Sequence, residues 1–319
     1  LFQTFVERIG LCWAQQGKTM SLHARDLAQM ISLGAIWGSS FLFMRVAGPQ
    51  FGLALFASLR GLIAALLVLP LLLREPGAFA AMRAHAGWLL LTGVLNSAIP
   101  YTLFTYVALE IGVGTTAVIN STAPLFGAMI ARAWIGERLP RFGVSGLLLG
   151  FTGVATLVLF RDAHSGNPAA AGVGAIAPML IGLFTAACSG ASATVARRHL
   201  RNLSPLASTV GSQLGCAVLM LPLGIVWWPS NMPDLSAWAS LLTLCLFSTA
   251  IAYFLFYSLI ARIGASRASA VMFLIPVFGV VWGMIFLGER VNAGMLAGAV
   301  MVVAGVALIN GLAARRGAA

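Results

Sequence analysis

Charge is what this chain has least of. Only 8% of its 319 residues are charged, and eight acids stand against nineteen Lys and Arg. Soluble domains carry nearer a quarter, so this composition cannot furnish a water-facing surface. Acids deep inside apolar runs are absent: Asp26, Glu75, Glu110 and Asp162 all fall at run edges. That argues against exchange of protons for cationic drugs through a buried carboxylate. It also argues against an intramembrane enzyme, which needs His, Asp or Glu grouped at depth. His23, His85, His164 and His199 lie in loops or at run ends, so no metal site or histidine relay is expected. Cys12, Cys188, Cys216 and Cys245 lack metal-ligand spacing and read as small buried hydrophobes. Gly17-Lys18-Thr19 ends like a phosphate loop, but position 12 is Cys where Gly is required. No ATP-driven pump and no cofactor follow from this sequence.

Apolar residues fill the space left by charge, at 60% of the chain. They come in runs of about 20, and at roughly 1.5 Å per residue a helix of that length crosses a hydrocarbon core roughly 30 Å thick. The runs lack the strict alternation of barrel strands, so helices are predicted. Ten spans emerge, at roughly 28–48, 52–73, 86–108, 113–135, 142–160, 174–196, 205–228, 237–260, 265–287 and 292–312.

The net charge of +11 is dispersed between the spans in ones, twos and threes. That pattern is membrane topology, and no nucleic-acid partner is expected. Alternate loops hold thirteen of the basic residues, from Lys18 and Arg25 to Arg315 and Arg316, whereas the opposite side has Arg45, Arg161 and Arg290. Both termini are therefore expected in the cytoplasm, in a multi-pass protein of the plasma (inner) membrane.

The chain also repeats itself. Tyr101 to Leu157 aligns with Tyr253 to Ile309 without a gap, at a constant offset of 152. Pro124-Leu-Phe-Gly meets Pro276-Val-Phe-Gly, and Gly136-Glu137-Arg138 meets Gly288-Glu289-Arg290. Five spans per copy is an odd number, so the second copy must enter the membrane upside down. The expected fold is all-α and integral to the membrane, with ten transmembrane helices in two inverted five-helix repeats. The first repeat covers 26–160 and the second 174–313, joined by a linker at 161–173. Residues 1–25 form a cytoplasmic lead-in and 314–319 a cytoplasmic tail. Residues 1–19 are expected to fall outside the native product, because Met20 opens a natural short approach to the first helix.

Several of these pieces together resemble the EamA-type members of the drug/metabolite transporter superfamily. They are Trp37-Gly-Ser-Ser-Phe, Leu59-Arg60, Pro124-Leu-Phe with Gly136-Glu-Arg, and the second copies Pro276-Val-Phe and Gly288-Glu-Arg. The resemblance covers about residues 26 to 312. It implies a ten-helix carrier of small metabolites, often an exporter, with amino acids or their relatives favoured as substrates.

Polar side chains at mid-span are the candidate substrate contacts, because a polar group in lipid lacks partners and should turn inward. They are Trp37 and Ser40 in helix one, Asn96 and Tyr101 in helix three, Asn120 in helix four, Ser189 in helix six, and Ser248 and Tyr253 in helix eight. Ser and Thr also pack helices and bond back to the backbone, so each hydroxyl has a purely structural alternative. Arg60 is the sharpest candidate. Inside helix two with apolar neighbours, it must snorkel, pair or face water. It either anchors an anionic group such as a carboxylate or fixes helix two by bonding carbonyls. Arg45, nearer the outer interface, is expected to snorkel.

Pro124 and Pro276, at the centres of helices four and nine, are expected to kink them, as hinges or as static shapers of a cavity. Glu137 and Glu289 end those helices and are expected near the gates, capping the next helix or pairing with a basic loop residue. The glycines of helices five and ten favour close packing, within one chain or between two, so a homodimer stays open. The reading is a secondary or facilitative carrier, not an enzyme, whose partners are a small-molecule substrate and membrane lipid. Its path runs between helices one to four and six to nine, with five and ten outside it. The alternatives are a non-transporting membrane sensor or scaffold and, less well supported, an intramembrane enzyme.

Overall fold

The computed structural model of the protein describes residues 24–136, 143–159, 174, 176–264 and 268–314. Among these residues every regular element is helical. Helices α1 (Ala24–Phe51), α2 (Leu53–Leu72), α3 (Ala86–Ile111) and α4 (Val113–Ile135) come from the first half of the chain, with a short helix at Ala78–Ala84 before α3. They are followed by α5 (Gly143–Leu159), α6 (Ile176–His199) and α7 (Pro205–Val226). Helix α8 joins Leu235–Cys245, Leu246–Ile251 and Ala252–Ile263. Helix α9 joins Ser269–Phe273 to Leu274–Leu287, and α10 is Ala293–Ala314. Eight of these helices are long and apolar enough to cross a membrane, while α5 and α10 contribute shorter apolar stretches, Gly143–Leu157 and Ala293–Leu308. The side chains left uncovered suit hydrocarbon better than water: Leu66, Leu148, Leu180, Phe184, Val218 and Val300 are all exposed.

The 152-residue offset recurs as geometry. Gly112 and Gly264 share a φ of +85° and +84°, and Gly136 and Gly288 end α4 and α9 at +75° and +64°. A Cβ disfavours these angles, which is why glycine holds both copies. Helices α3 and α8 each contain one π-helical stretch at matching positions, Val94–Ala98 and Leu246–Ile251. Pro100 lacks the N–H that would bond back to Asn96, which suits a π turn in α3. Ala252, its counterpart in α8, does have an N–H, so proline is not the shared cause.

The prolines of α4 and α9 do not kink a continuous helix as expected. Helix α4 is interrupted at Ser121–Thr122, whose hydroxyls donate to the Val118 and Ile119 carbonyls at 2.6 and 2.7 Å. Pro124 sits in the first turn of the segment that follows, Ala123–Ile135. In α9, a 3₁₀ stretch precedes Pro276 in the first turn of Leu274–Leu287. In that first turn a missing N–H costs little, and the fixed φ favours initiation.

Glycine sets the close packing of α5 on α10. A Cβ on Gly153 of α5 would lie 2.7 Å from the Gly298 carbonyl oxygen, and one on Gly298 of α10 would lie 2.7 Å from the Gly153 oxygen. The glycines of α5 and α10 therefore pack against each other within a single chain. The largest buried cluster joins α1, α2 and α8, with Phe41, Phe51 and Phe56 against Leu241 and Leu244. At the start of α1, Asp26 accepts from Arg262 Nε at 2.8 Å, and Gln29 donates to Ser258 at 2.6 Å, tying α1 to the end of α8. At the start of α8, Asp234 Oδ1 caps the helix by accepting from Ala237 N at 2.8 Å. That bond, helped by the Ser236 hydroxyl and Gln50, holds the Asp234 carboxyl below its ordinary value.

Candidate functional site: a polar cavity between the two halves

A cavity of about 870 Å³ lies among the helices of both halves. The break in α1 at Ser39 exposes Trp37 and Ser40 to it, and α2 contributes Arg60. Asn96 enters from the π turn of α3, with Tyr101 below it, and Asn120 from the residue before the break in α4. Ser189 comes from α6, and Ser248 and Tyr253 from the π turn of α8 and the helix beyond it. All nine mid-span candidates therefore face one cavity, as does Pro124. Pro276 is buried and is not part of its lining. Both π turns place a polar side chain at the cavity wall, where an extra backbone residue re-aims the helix face.

The lining residues divide by whether the protein already satisfies them. Trp37 Nε1 donates to the Ser248 carbonyl at 3.1 Å, and the Ser40 hydroxyl donates to that of Ser248 at 3.0 Å. These bonds join the α1 break to the α8 π turn, so here the hydroxyls do bind helices together. Ser189 bonds back to Thr185 at 3.3 Å. The side chains of Asn96 and Asn120 form no hydrogen bond with another described residue.

Arg60 is 7% exposed, and its Nε and Nη1 have no hydrogen-bond partner among the described residues. Its guanidinium lies over the Tyr101 ring, 3.7 Å from the centroid, the distance of a cation–π contact. It does not fix α2 by bonding carbonyls through those two nitrogens. Gln213 of α7 escaped the sequence reading. Its Nε2 donates to the Tyr101 hydroxyl at 2.8 Å, and its Oε1 is buried with no partner among the described residues. The signal was an uncharged amide at the middle of an apolar span, as expensive to bury as Asn96. Helix α10 was expected outside the path, yet Val306 reaches the cavity wall.

The two ends of α4 differ. At its first residues, Val113 N and Gly114 N donate to Glu289 Oε1 and Oε2 at 2.6 and 3.0 Å, and Arg45 Nη1 donates to Oε1 at 2.7 Å. Two expectations are corrected here. Arg45 does not snorkel but pairs with Glu289. Glu289 caps α4 of the opposite half, not the helix after it, and its basic partner lies in α1, not in a loop. A carboxylate at a helix N-terminus meets unpaired N–H groups and the positive end of the dipole. At the other end of α4, about 33 Å away at 1.5 Å per residue, His199 stacks on Trp88 at 3.6 Å and Arg198 covers Trp134. There the exposed Arg197 lines the cavity. Glu137 and the 161–173 linker lie outside the described residues.

A bundle of long apolar helices around a cavity of mixed polar and apolar lining fits a multi-pass membrane transporter. The chain belongs to the EamA-like transporter family, whose sequence pattern matches residues 27–159 and again 176–311. An uncharacterised transporter of Bacillus subtilis, YvbV, is 27% identical over 86% of this chain and 88% of its own length. A probable terminal-alkyne amino-acid exporter of Streptantibioticus cattleyicolor is 25% identical over 86% and 89%. A probable amino-acid metabolite efflux pump of Salmonella typhimurium is 24% identical over 85% and 90%. A crystal structure at 18% identity superposes with a TM-score of 0.58 over 92% of this chain and 99% of that one, a likeness of fold. The family and the names of these relatives point to transport, not catalysis.

Proposed function

We propose that the protein is a secondary or facilitative carrier that exports small metabolites, amino acids or related compounds, by alternating access. The observation that carries this reading is the cavity shared by both halves, whose wall includes Arg60, Asn96 and Asn120 with side chains that make no hydrogen bond among the described residues. Ten spans, arranged as two inverted five-helix repeats, give such a cavity two related ways to open. The offset of 152 between matching π turns and helix-ending glycines supports that arrangement. The basic loops support termini in the cytoplasm and a home in the inner membrane. On this reading the Arg45–Glu289 contact closes the outer end of the path, and the cavity opens toward Arg197 at the inner end. Pro124 and Pro276, each beside a helix break, are the proposed hinges, and Glu137 is the proposed inner counterpart of Glu289. Substrate meets Trp37, Ser40, Arg60, Asn96, Tyr101, Asn120, Ser189, Ser248 and Tyr253. The names of the Streptantibioticus and Salmonella relatives support amino-acid-like cargo and export.

The test is counterflow into liposomes holding purified protein, over a panel of amino acids and their derivatives. Labelled substrate should accumulate only in vesicles preloaded with the same compound. Asn120→Ala should weaken the half-saturating concentration about two- to tenfold, the value of one lost hydrogen bond. A panel in which nothing moves overturns the reading.

A further inference from the structure

We propose that the cavity reads an organic carboxylate: the acid docks on Arg60, and a hydrogen-bond donor beside it meets Gln213 Oε1. The inference rests on the transporter reading and names what that site recognises. Arg60 is only 7% exposed, and Nε and Nη1 have no partner among the described residues. Nη2, which also has no hydrogen bond among the described residues, lies beside each of them, and its pairing with either makes the two-pronged donor set that matches the two oxygens of a carboxylate.

A water molecule would satisfy these donors but leave the charge uncompensated in a low-dielectric site. The face of Tyr101, at 3.7 Å, offsets part of that charge. Among the described residues no Asp or Glu lines the cavity, whereas two arginines, Arg60 and Arg197, do. An anion supplies both the acceptors and the missing charge. A simple amine supplies neither, and it finds no carboxylate there.

Gln213 sharpens the class. Its amide N–H is held by the Tyr101 hydroxyl, which turns Oε1 away as a lone acceptor, buried and unpaired. The same tyrosine therefore touches the cation and orients the acceptor. A carboxylate whose adjacent carbon bears O–H or N–H satisfies both groups at once, and that donor need not be charged. Phe41, Phe104, Met44 and Ile275 of the wall take an apolar body. A 2-hydroxy acid should thus be recognised as well as an amino acid, while a decarboxylated amine is refused.

The experiment is calorimetric binding to detergent-purified protein of three matched probes: phenyllactate, phenylpropionate and phenethylamine. Phenyllactate should bind most tightly, phenylpropionate several-fold more weakly, and phenethylamine not measurably. Gln213→Met should erase the preference of phenyllactate over phenylpropionate. Arg60→Met should weaken both acids at least about tenfold. Arg60→Lys, which keeps the charge but not the planar fork, should keep acid over amine with lower affinity, and it answers the question if the Met variant does not fold. Phenethylamine binding as tightly as the acids, acids that do not bind, or acid affinity indifferent to Arg60 each overturns the assignment. Equal binding of the two acids by the wild type overturns the Gln213 half. The same probes in counterflow separate the two readings. Acids that bind but never cross sink the carrier cycle and spare this site. Metabolites that cross while binding ignores the carboxylate sink the site alone.

Discussion

Asp234 is a residue whose work is visible from one bond. It caps α8 at the loop after α7, and the Ala237 N–H holds its carboxyl below the ordinary value. A group whose folded pKa is depressed contributes stability above its unfolded value, about 4, and loses it as pH falls through the folded value. Asp234→Ala should therefore lower the melting temperature at pH 7 in detergent. The gap to the wild type should shrink as pH falls below about 4 and the wild-type carboxylate takes up its proton. A gap that is constant with pH would show that packing, and not the carboxylate, is what the substitution removed. At this scale the sequence was most legible where a polar atom was out of place. Trp37, Ser40, Asn96 and Asn120 declared themselves by polarity at mid-span, and each lines the cavity. Gln213 carried the same signal and was passed over. Arg45 and Glu289 were misassigned because their pairing spans 244 residues of chain, which no local pattern encodes.

Helices are the next scale, and here the composition was a good guide to existence and a poor one to interruption. Length and hydropathy located each helix within a few residues. The breaks at Ser39 and Ser121–Thr122, and the two π turns, left no local hydrophobic signature, because hydroxyl back-bonding and backbone register decide them. The α5–α10 seam is the opposite case, written directly in its glycines. Gly153→Leu should overpack it and cost roughly 1–3 kcal/mol, read as a fall in melting temperature. Gly87→Ala in α3, where a new Cβ meets nothing within 4 Å, should leave stability unchanged or slightly raised. If both variants melt alike, the seam is not the close contact the geometry makes it.

For the whole molecule, the duplication was legible and its closure was not. The contact that joins the halves at the start of α4 is one carboxylate held by two backbone N–H groups and one guanidinium. Glu289→Gln keeps the shape, removes the charge, and should loosen that end. The readout is a single cysteine at Met44, which lines the cavity, placed in a chain whose native cysteines are replaced. An impermeant thiol reagent applied from the Arg45 side should label it several-fold faster in the Gln variant. Equal rates in both chains would remove Glu289 from the closure.

The seam between α5 and α10 has a further consequence, for heredity. At Gly153 and Gly298 each backbone leaves the other no room for a Cβ, and both positions already hold the smallest residue. A mutation that enlarges one side cannot be relieved by shrinking the other. Selection for regained function after such a lesion should thus return the original glycine codon, with no suppressor at its partner.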